Sequence, residues 1–181
     1  MQSLYGEIDN IIEEKAKNIK LLVCDVDGVF SDGRIYLGNN GEELKAFHTK
    51  DGFGIKALAA SGVDIAIITG RRSKLVENRM QALHVKHIIQ GEENKLPALQ
   101  NLAKKLNLTM EQIAYIGDDV PDLACIEQVS LGISVKDGHP LVIQGAHYTT
   151  FMLGGFGAVR EVCDLIMQSQ GTLSQAKGAS I

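Results

Sequence analysis

Two aspartates separated by a single residue, Asp25 and Asp27, end the apolar run Leu21-Leu22-Val23-Cys24 and are followed at once by Gly28. Residues two apart on an extended strand point to one side, so this spacing predicts that both carboxylates face one site. Acids held side by side repel, and a divalent cation or a shared proton relieves that repulsion. Standing alone, an Asp-x-Asp-Gly is most simply a strand that ends in a polar turn. Three more apolar runs end in reactive residue types, however: Thr69-Gly70-Arg71, then Gly91 to Lys95, then Gly117-Asp118-Asp119 with Asp122 just beyond.

Together these residues supply the parts of phosphoryl transfer: an in-line nucleophile, positive charge on the phosphate oxygens and a proton for the leaving oxygen. Asp25 reads as the nucleophile, forming an aspartyl phosphate. Asp27 reads as the acid that protonates the departing alcohol and the base that then activates water. Asp118 would complete a Mg²⁺ site with the Asp25 carboxylate and the Asp27 main-chain carbonyl, because hard oxygen ligands suit that ion better than zinc. Thr69 offers its hydroxyl and amide to the phosphate, and Lys95 offers a cation that also restrains the nucleophile. Asp119 and Asp122 read either as partners of the metal site or of Lys95, or simply as acids at a helix N-terminus. With the phosphate so served, Lys50, Lys56, Arg71, Arg72 and Arg79 remain, in a chain of net charge −4. A second anion on the substrate, such as a carboxylate, accounts for them. Arg71, two residues beyond Thr69, is best placed to meet it, and Arg72 reads as facing solvent.

Elements must carry these groups to one place. Apolar, β-rich runs recur at 21–26, 63–69, 85–90, 113–116 and 131–135. Helical spacing lies between them: Ile55, Leu58 and Ala59; Leu75, Val76, Met80 and Leu83; Leu96, Leu99, Leu102, Ala103 and Leu106. This alternation predicts an α/β fold, a doubly wound parallel sheet with helices on both faces and right-handed crossovers. Each polar cluster follows a strand, and that edge of an open sheet is where ligands bind. Residues 34–47 break the pattern with two short arms around Asn39-Asn40-Gly41, the mark of a β-hairpin that needs a surface to pack on.

The 181 residues, 45% of them hydrophobic, suit one domain over 1–181, with the 34–47 hairpin inserted and a 154–181 tail. No basic block stands out, so neither nucleic acid nor an anionic membrane is expected as a partner, and a small molecule is. The first twenty residues carry Glu7, Asp9, Glu13 and Glu14 and lack the pattern of a signal peptide, and no run reaches a membrane span. A cytoplasmic protein is expected. Cys24, Cys125 and Cys163 lack metal or disulfide spacing and read as buried small residues. His84, His87, His139 and His147 read as ordinary surface or loop residues.

Asp25-Val26-Asp27-Gly28, Thr69, Lys95 and Gly117-Asp118-Asp119-x-x-Asp122 resemble, in order, the four motifs of the haloacid dehalogenase superfamily phosphatases. The segments 28–68 and 70–94 are too short for a large cap domain. Over essentially its whole length the chain resembles the capless 3-deoxy-D-manno-octulosonate 8-phosphate phosphatases. The likeness rests on residues 38–47, on Lys50-Asp51-Gly52-x-Gly54-Ile55, on Gly117-Asp118-Asp119 and on residues 154–161. The resemblance implies a Mg²⁺-dependent phosphatase of lipopolysaccharide precursor synthesis in a Gram-negative cytoplasm. It also implies a homotetramer in which hairpins assemble centrally and a neighbour's tail helps cover the site. Asp27, His48, Thr49, Lys50, Asp51, Gly52, Lys56, Arg71, Arg79 and Lys95 are implied as substrate contacts. Lys50 and Lys56 stand where relatives often carry arginine, keeping charge without the bidentate fork. Another acid sugar phosphate, such as a sialic-type 9-phosphate, stays open as substrate. A phosphorylated receiver module is the rival from another class, but there the acidic pair and the phosphorylated aspartate lie on different strands.

Overall fold

Along the chain, α1 (Asn10–Lys17) precedes β1 (Leu21–Cys24), and a hairpin of β2 (Tyr36–Leu37) and β3 (Glu43–Leu44) follows. Then α2 (Thr49–Ala60) leads to β4 (Asp64–Thr69), α3 (Lys74–Ala82) to β5 (His87–Gln90) and α4 (Lys95–Lys105) to β6 (Ile113–Gly117). Finally α5 (Val120–Gln128) leads to β7 (Leu131–Ser134), α6 (Pro140–Gly145) to β8 (Tyr148–Thr149), and α7 (Ala158–Ser169) follows. This is a computed structural model, and it describes residues 1–177. The six-stranded sheet runs β5-β4-β1-β6-β7-β8 with every pairing parallel. The predicted α/β class, with no large cap domain, is the one observed.

Strand alternation sorts the core into two layers. Leu22 and Cys24 of β1, Ile65 and Ile67 of β4, and Ala114 and Ile116 of β6 join one cluster with α1, α2, α3 and α7. Leu21 and Val23, Ala66 and Ile68, and Ile113 and Tyr115 join the other, under α4, α5 and α6. Strands buried on both faces read as unbroken apolar runs, which is why these were found in the sequence.

The structure corrects three expectations. Strand β1 stops at Cys24, and Asp27 lies in the turn beyond it rather than on the same extended strand as Asp25. The chain is pinched there because the Val26 carbonyl accepts the amides of Val29, Phe30 and Ser31 at 3.1, 2.9 and 3.1 Å. The 154–181 segment is not wholly a tail either, since α7 buries nine of its residues, Ala158, Val159 and Glu161 through Met167. Beyond Ser169 a short turn at Leu173–Gln175 packs Leu173 against the same core, and 178–181 lie outside the described residues. The hairpin arms shrink to two residues each, paired Tyr36 to Leu44 and Leu37 to Glu43.

Candidate active site

Strand β1 is flanked by β4, the next strand of this sheet along the chain, and by β6, to which it returns after β5, so the strand order reverses around β1. Crevices form at the C-terminal edge of such reversals. Asp25 extends β1 by one residue, its amide bonded to the Ile116 carbonyl at 3.0 Å. The alternation that sends Leu21 and Val23 toward α4 and α5 sends the Asp25 side chain the same way. There it meets Lys95, the first residue of α4, whose Nζ lies 2.8 Å from Asp25 Oδ1 and 2.7 Å from Asp122 Oδ1.

Asp122, in the first turn of α5, is saturated. Its Oδ1 accepts from Lys95 and from the Tyr115 hydroxyl at 2.7 Å, and its Oδ2 accepts the amides of Asp118 and Asp119 at 3.2 and 3.3 Å. Asp119 caps α5 through the Val120 amide at 2.8 Å. Burial, and then the Asp122 carboxylate, push Asp25 above the usual aspartate range, and Lys95 offsets only part of this. Burial, followed by Asp25, Asp122 and Asp119, pushes Asp118 up as well. Burial alone would lower the Lys95 ammonium, but Asp25 and Asp122 outweigh it and hold it above its ordinary value.

One carboxylate oxygen from each of Asp25, Asp118 and Asp122 lies within 4.8 Å of the others. Three carboxylates against one ammonium leave two negative charges when all are ionised, and one divalent cation carries the opposite charge. The oxygen donor set suits Mg²⁺. Because four donors already occupy Asp122, the ligands left for the ion are Asp25 and Asp118. Gly28 is what lets Asp118 in: φ is +91°, and a Cβ there would sit 2.1 Å from Asp118 Oδ2. These groups line an open cleft of about 440 Å³ with Asp27, Thr69, Gly70, Arg71 and Glu93.

The haloacid dehalogenase-like hydrolase family matches residues 84–152. The 3-deoxy-D-manno-octulosonate 8-phosphate phosphatase of Salmonella typhi is 51% identical over 181 residues, covering 100% of this chain and 96% of that protein. The chain belongs to the 3-deoxy-D-manno-octulosonate 8-phosphate phosphatase family. The crystal structure of the member from Yersinia pestis matches with a TM-score of 0.98 at 51% identity, covering 100% of this chain and 98% of that one. A member from Moraxella catarrhalis, solved with magnesium, phosphate and KDO, matches at TM-score 0.91 and 47% identity over 93% of this chain and 97% of that one.

Of the residues predicted for this family's chemistry, the fold brings Asp25, Asp27, Thr69, Arg71, Lys95, Asp118, Asp119 and Asp122 to one cleft. It does not bring His48, Thr49, Lys50, Asp51, Gly52, Lys56 or Arg79 to that cleft's walls. His48 caps α2, its Nδ1 accepting the Lys50 amide at 3.1 Å. Asp51 is buried against α7, where its Oδ1 accepts the Arg160 amide at 2.8 Å. The Arg79 guanidinium fills the space where a Gly52 Cβ would stand.

Sequence reasoning missed Tyr115, Glu43 and Lys45. A tyrosine inside an otherwise aliphatic, fully buried strand needs a partner for its hydroxyl, and that signal was available for Tyr115. Lys45 Nζ lies 2.6 Å from Asp27 Oδ1, and Glu43 Oε2 accepts from Arg71 at 3.1 Å. Nothing in the local pattern marks either, because both contacts arise only when the hairpin folds back.

Proposed function

We propose that the protein is a Mg²⁺-dependent phosphomonoesterase that hydrolyses 3-deoxy-D-manno-octulosonate 8-phosphate to the free sugar acid and phosphate in lipopolysaccharide biosynthesis. One observation carries the reaction: a buried carboxylate at the centre of the sheet, Asp25, is held by a buried ammonium in a cleft short of positive charge. The full-length likeness to the phosphatases above supports the substrate.

The chain's own groups divide the work. Asp25 attacks phosphorus and becomes an aspartyl phosphate as the ester bond breaks. Asp27 gives its proton to the departing sugar oxygen, then takes one from the water that cleaves the acyl phosphate. Lys95, fixed by Asp122, and the Thr69 hydroxyl serve the phosphate oxygens, while Arg71 pairs with the sugar's carboxylate. The Asp25 and Asp118 carboxylates with the Asp27 carbonyl would hold the magnesium, which when bound would supply the charge that neutralises the phosphate for a carboxylate nucleophile. The exposed Tyr36, Leu37 and Leu44 of the hairpin support a homotetramer built through hairpins. No described helix is long and apolar enough to cross a membrane, and a cytoplasmic location agrees with that.

Phosphate release from a panel of sugar phosphates, with and without Mg²⁺, tests the reading. Turnover is expected on the eight-carbon acid sugar phosphate and only with the metal. A clear preference for the nine-carbon acid or for neutral sugars would sink the substrate assignment. Light scattering on the purified chain tests the tetramer.

A further inference from the structure

The hairpin reaches the cleft through charge rather than through packing. Its strands bury no side chain, yet the Lys45 side chain, just past β3, has 0% of its surface exposed. Its ammonium lies 2.6 Å from Asp27 Oδ1 and 3.6 Å from Glu43 Oε1. Glu43 Oε2 accepts from Arg71 at 3.1 Å, and Arg71 Nε lies 3.9 Å from Asp27 Oδ2. The four groups close a ring of alternating charge: Asp27, Lys45, Glu43, Arg71. The Ser73 hydroxyl adds a long bond to Glu43 Oε1 at 3.4 Å.

Two members of this ring, Asp27 and Arg71, have a second employment on the phosphatase reading, which this inference rests on. Asp27 must present one oxygen to the leaving group, and Arg71 must receive the substrate's carboxylate. A fully buried ammonium is stable only where it is paired, and here its short contact is with Asp27. By occupying Oδ1, Lys45 leaves Oδ2 as the oxygen that carries the proton to the ester oxygen while the P–O bond breaks. Glu43 meanwhile gives Arg71 the same chemical partner, a carboxylate, that an acid sugar would bring. Exchanging one carboxylate for another keeps the guanidinium paired throughout, whereas a neutral sugar has nothing to exchange.

We propose that the hairpin foot is a substrate-exchanged clasp: Lys45 is a positioning residue for Asp27, and Glu43 holds Arg71 until the substrate carboxylate takes its place. The test uses the full-length chain with Mg²⁺ and compares wild type, Lys45→Met, Lys45→Arg and Glu43→Gln. Three substrates are needed: the acid sugar phosphate, a neutral sugar phosphate, and p-nitrophenyl phosphate, whose leaving group departs without a proton. For Lys45→Met, kcat/KM on the sugar phosphates, which reads the step in which the alcohol departs, is expected to fall about 100-fold or more, the scale of a lost general acid, and on p-nitrophenyl phosphate by less than about tenfold. Lys45→Arg, which keeps a donor, is expected to recover part of the loss on the sugar substrates. Equal losses on all three substrates, or none, overturn the positioning role, and so does a Lys45→Arg no better than Lys45→Met. For Glu43→Gln the KM of the acid sugar phosphate is expected to drop several-fold with kcat little changed, and the KM of the neutral sugar phosphate to stay put. A KM that rises, or that moves equally for both sugars, overturns the exchange. A wild-type protein that releases phosphate from none of the three rejects the phosphatase reading itself, and the clasp with it.

Discussion

Two clusters of buried acids in this molecule are treated in opposite ways. Around α7, Glu161 accepts the Tyr148 hydroxyl and the amides of Phe151 and Met152, the latter two at 2.9 Å each. Asp164 accepts the Tyr5 hydroxyl at 2.9 Å and Arg160 Nε at 2.8 Å. Donors there are local and sufficient, so those carboxylates serve as fastenings between α7 and the loops it covers. In the cleft, Asp25 and Asp122 share one ammonium, and Asp118 stands beside them with its carboxyl pushed up by burial and by its acidic neighbours. Burial of charge is therefore no mark of function in itself. The functional cluster is the one whose carboxylates the fold leaves short of donors.

The contrast is broken most severely at its centre. Asp25→Asn is expected to lower Mg²⁺-dependent phosphate release by about 10⁴-fold or more while the circular-dichroism melting curve holds, since a crowded charge is removed. Glu161→Ala should do the reverse, because it leaves a buried hydroxyl and two amides without an acceptor. A loss of about 3 kcal/mol or more in urea unfolding is expected, with turnover per folded molecule retained. If Glu161→Ala costs activity and no stability, the two clusters are not different in kind.

Metal linkage gives a smaller effect. At Mg²⁺ a hundredfold above its dissociation constant, the wild type should gain about 2.7 kcal/mol of stability. Asp118→Asn should gain much less, and an equal gain in both would move the metal elsewhere. An effect read through pH concerns Asp51, whose burial raises its carboxyl from 3.8 to about 7, and whose Oδ2 has no partner. Between those values the folded chain holds a proton that the unfolded chain releases. Wild-type stability contributed by this group is thus full below 3.8 and lost as the pH climbs toward 7. Melting temperatures of wild type and Asp51→Asn across pH 4 to 8 should diverge in the variant's favour as the pH rises, then run parallel. A gap that does not change with pH would show that Asp51 is ionised throughout.

Most of the sheet was legible because parallel strands buried on both faces leave continuous apolar runs, as at Leu21–Cys24 and Asp64–Thr69. The short β8 and α6 escaped because Tyr148–Thr149 and Pro140–Gly145 are too brief to show a period. Asp25, Thr69, Lys95 and Asp118 are legible from the polar clusters that follow strands, whereas strand alternation does not account for Asp27. It reaches the cleft by a turn gathered on one carbonyl, and side-chain alternation says nothing about such a turn. Lys45 and Glu43 were illegible for another reason. Their partners, Asp27 and Arg71, lie 18 and 28 residues away in the chain, beyond any local pattern.

The saturation of Asp122 has a consequence for how the site behaves during turnover. Four donors on two oxygens leave Lys95 no alternative arrangement in which its tether remains satisfied. The electric field at Asp25 is accordingly fixed when the chain folds, and little dipole reorientation is left for the moment phosphorus changes partners. A site of this kind resists adjustment: it suits one shape of developing charge and gains nothing from waiting for the protein to adapt.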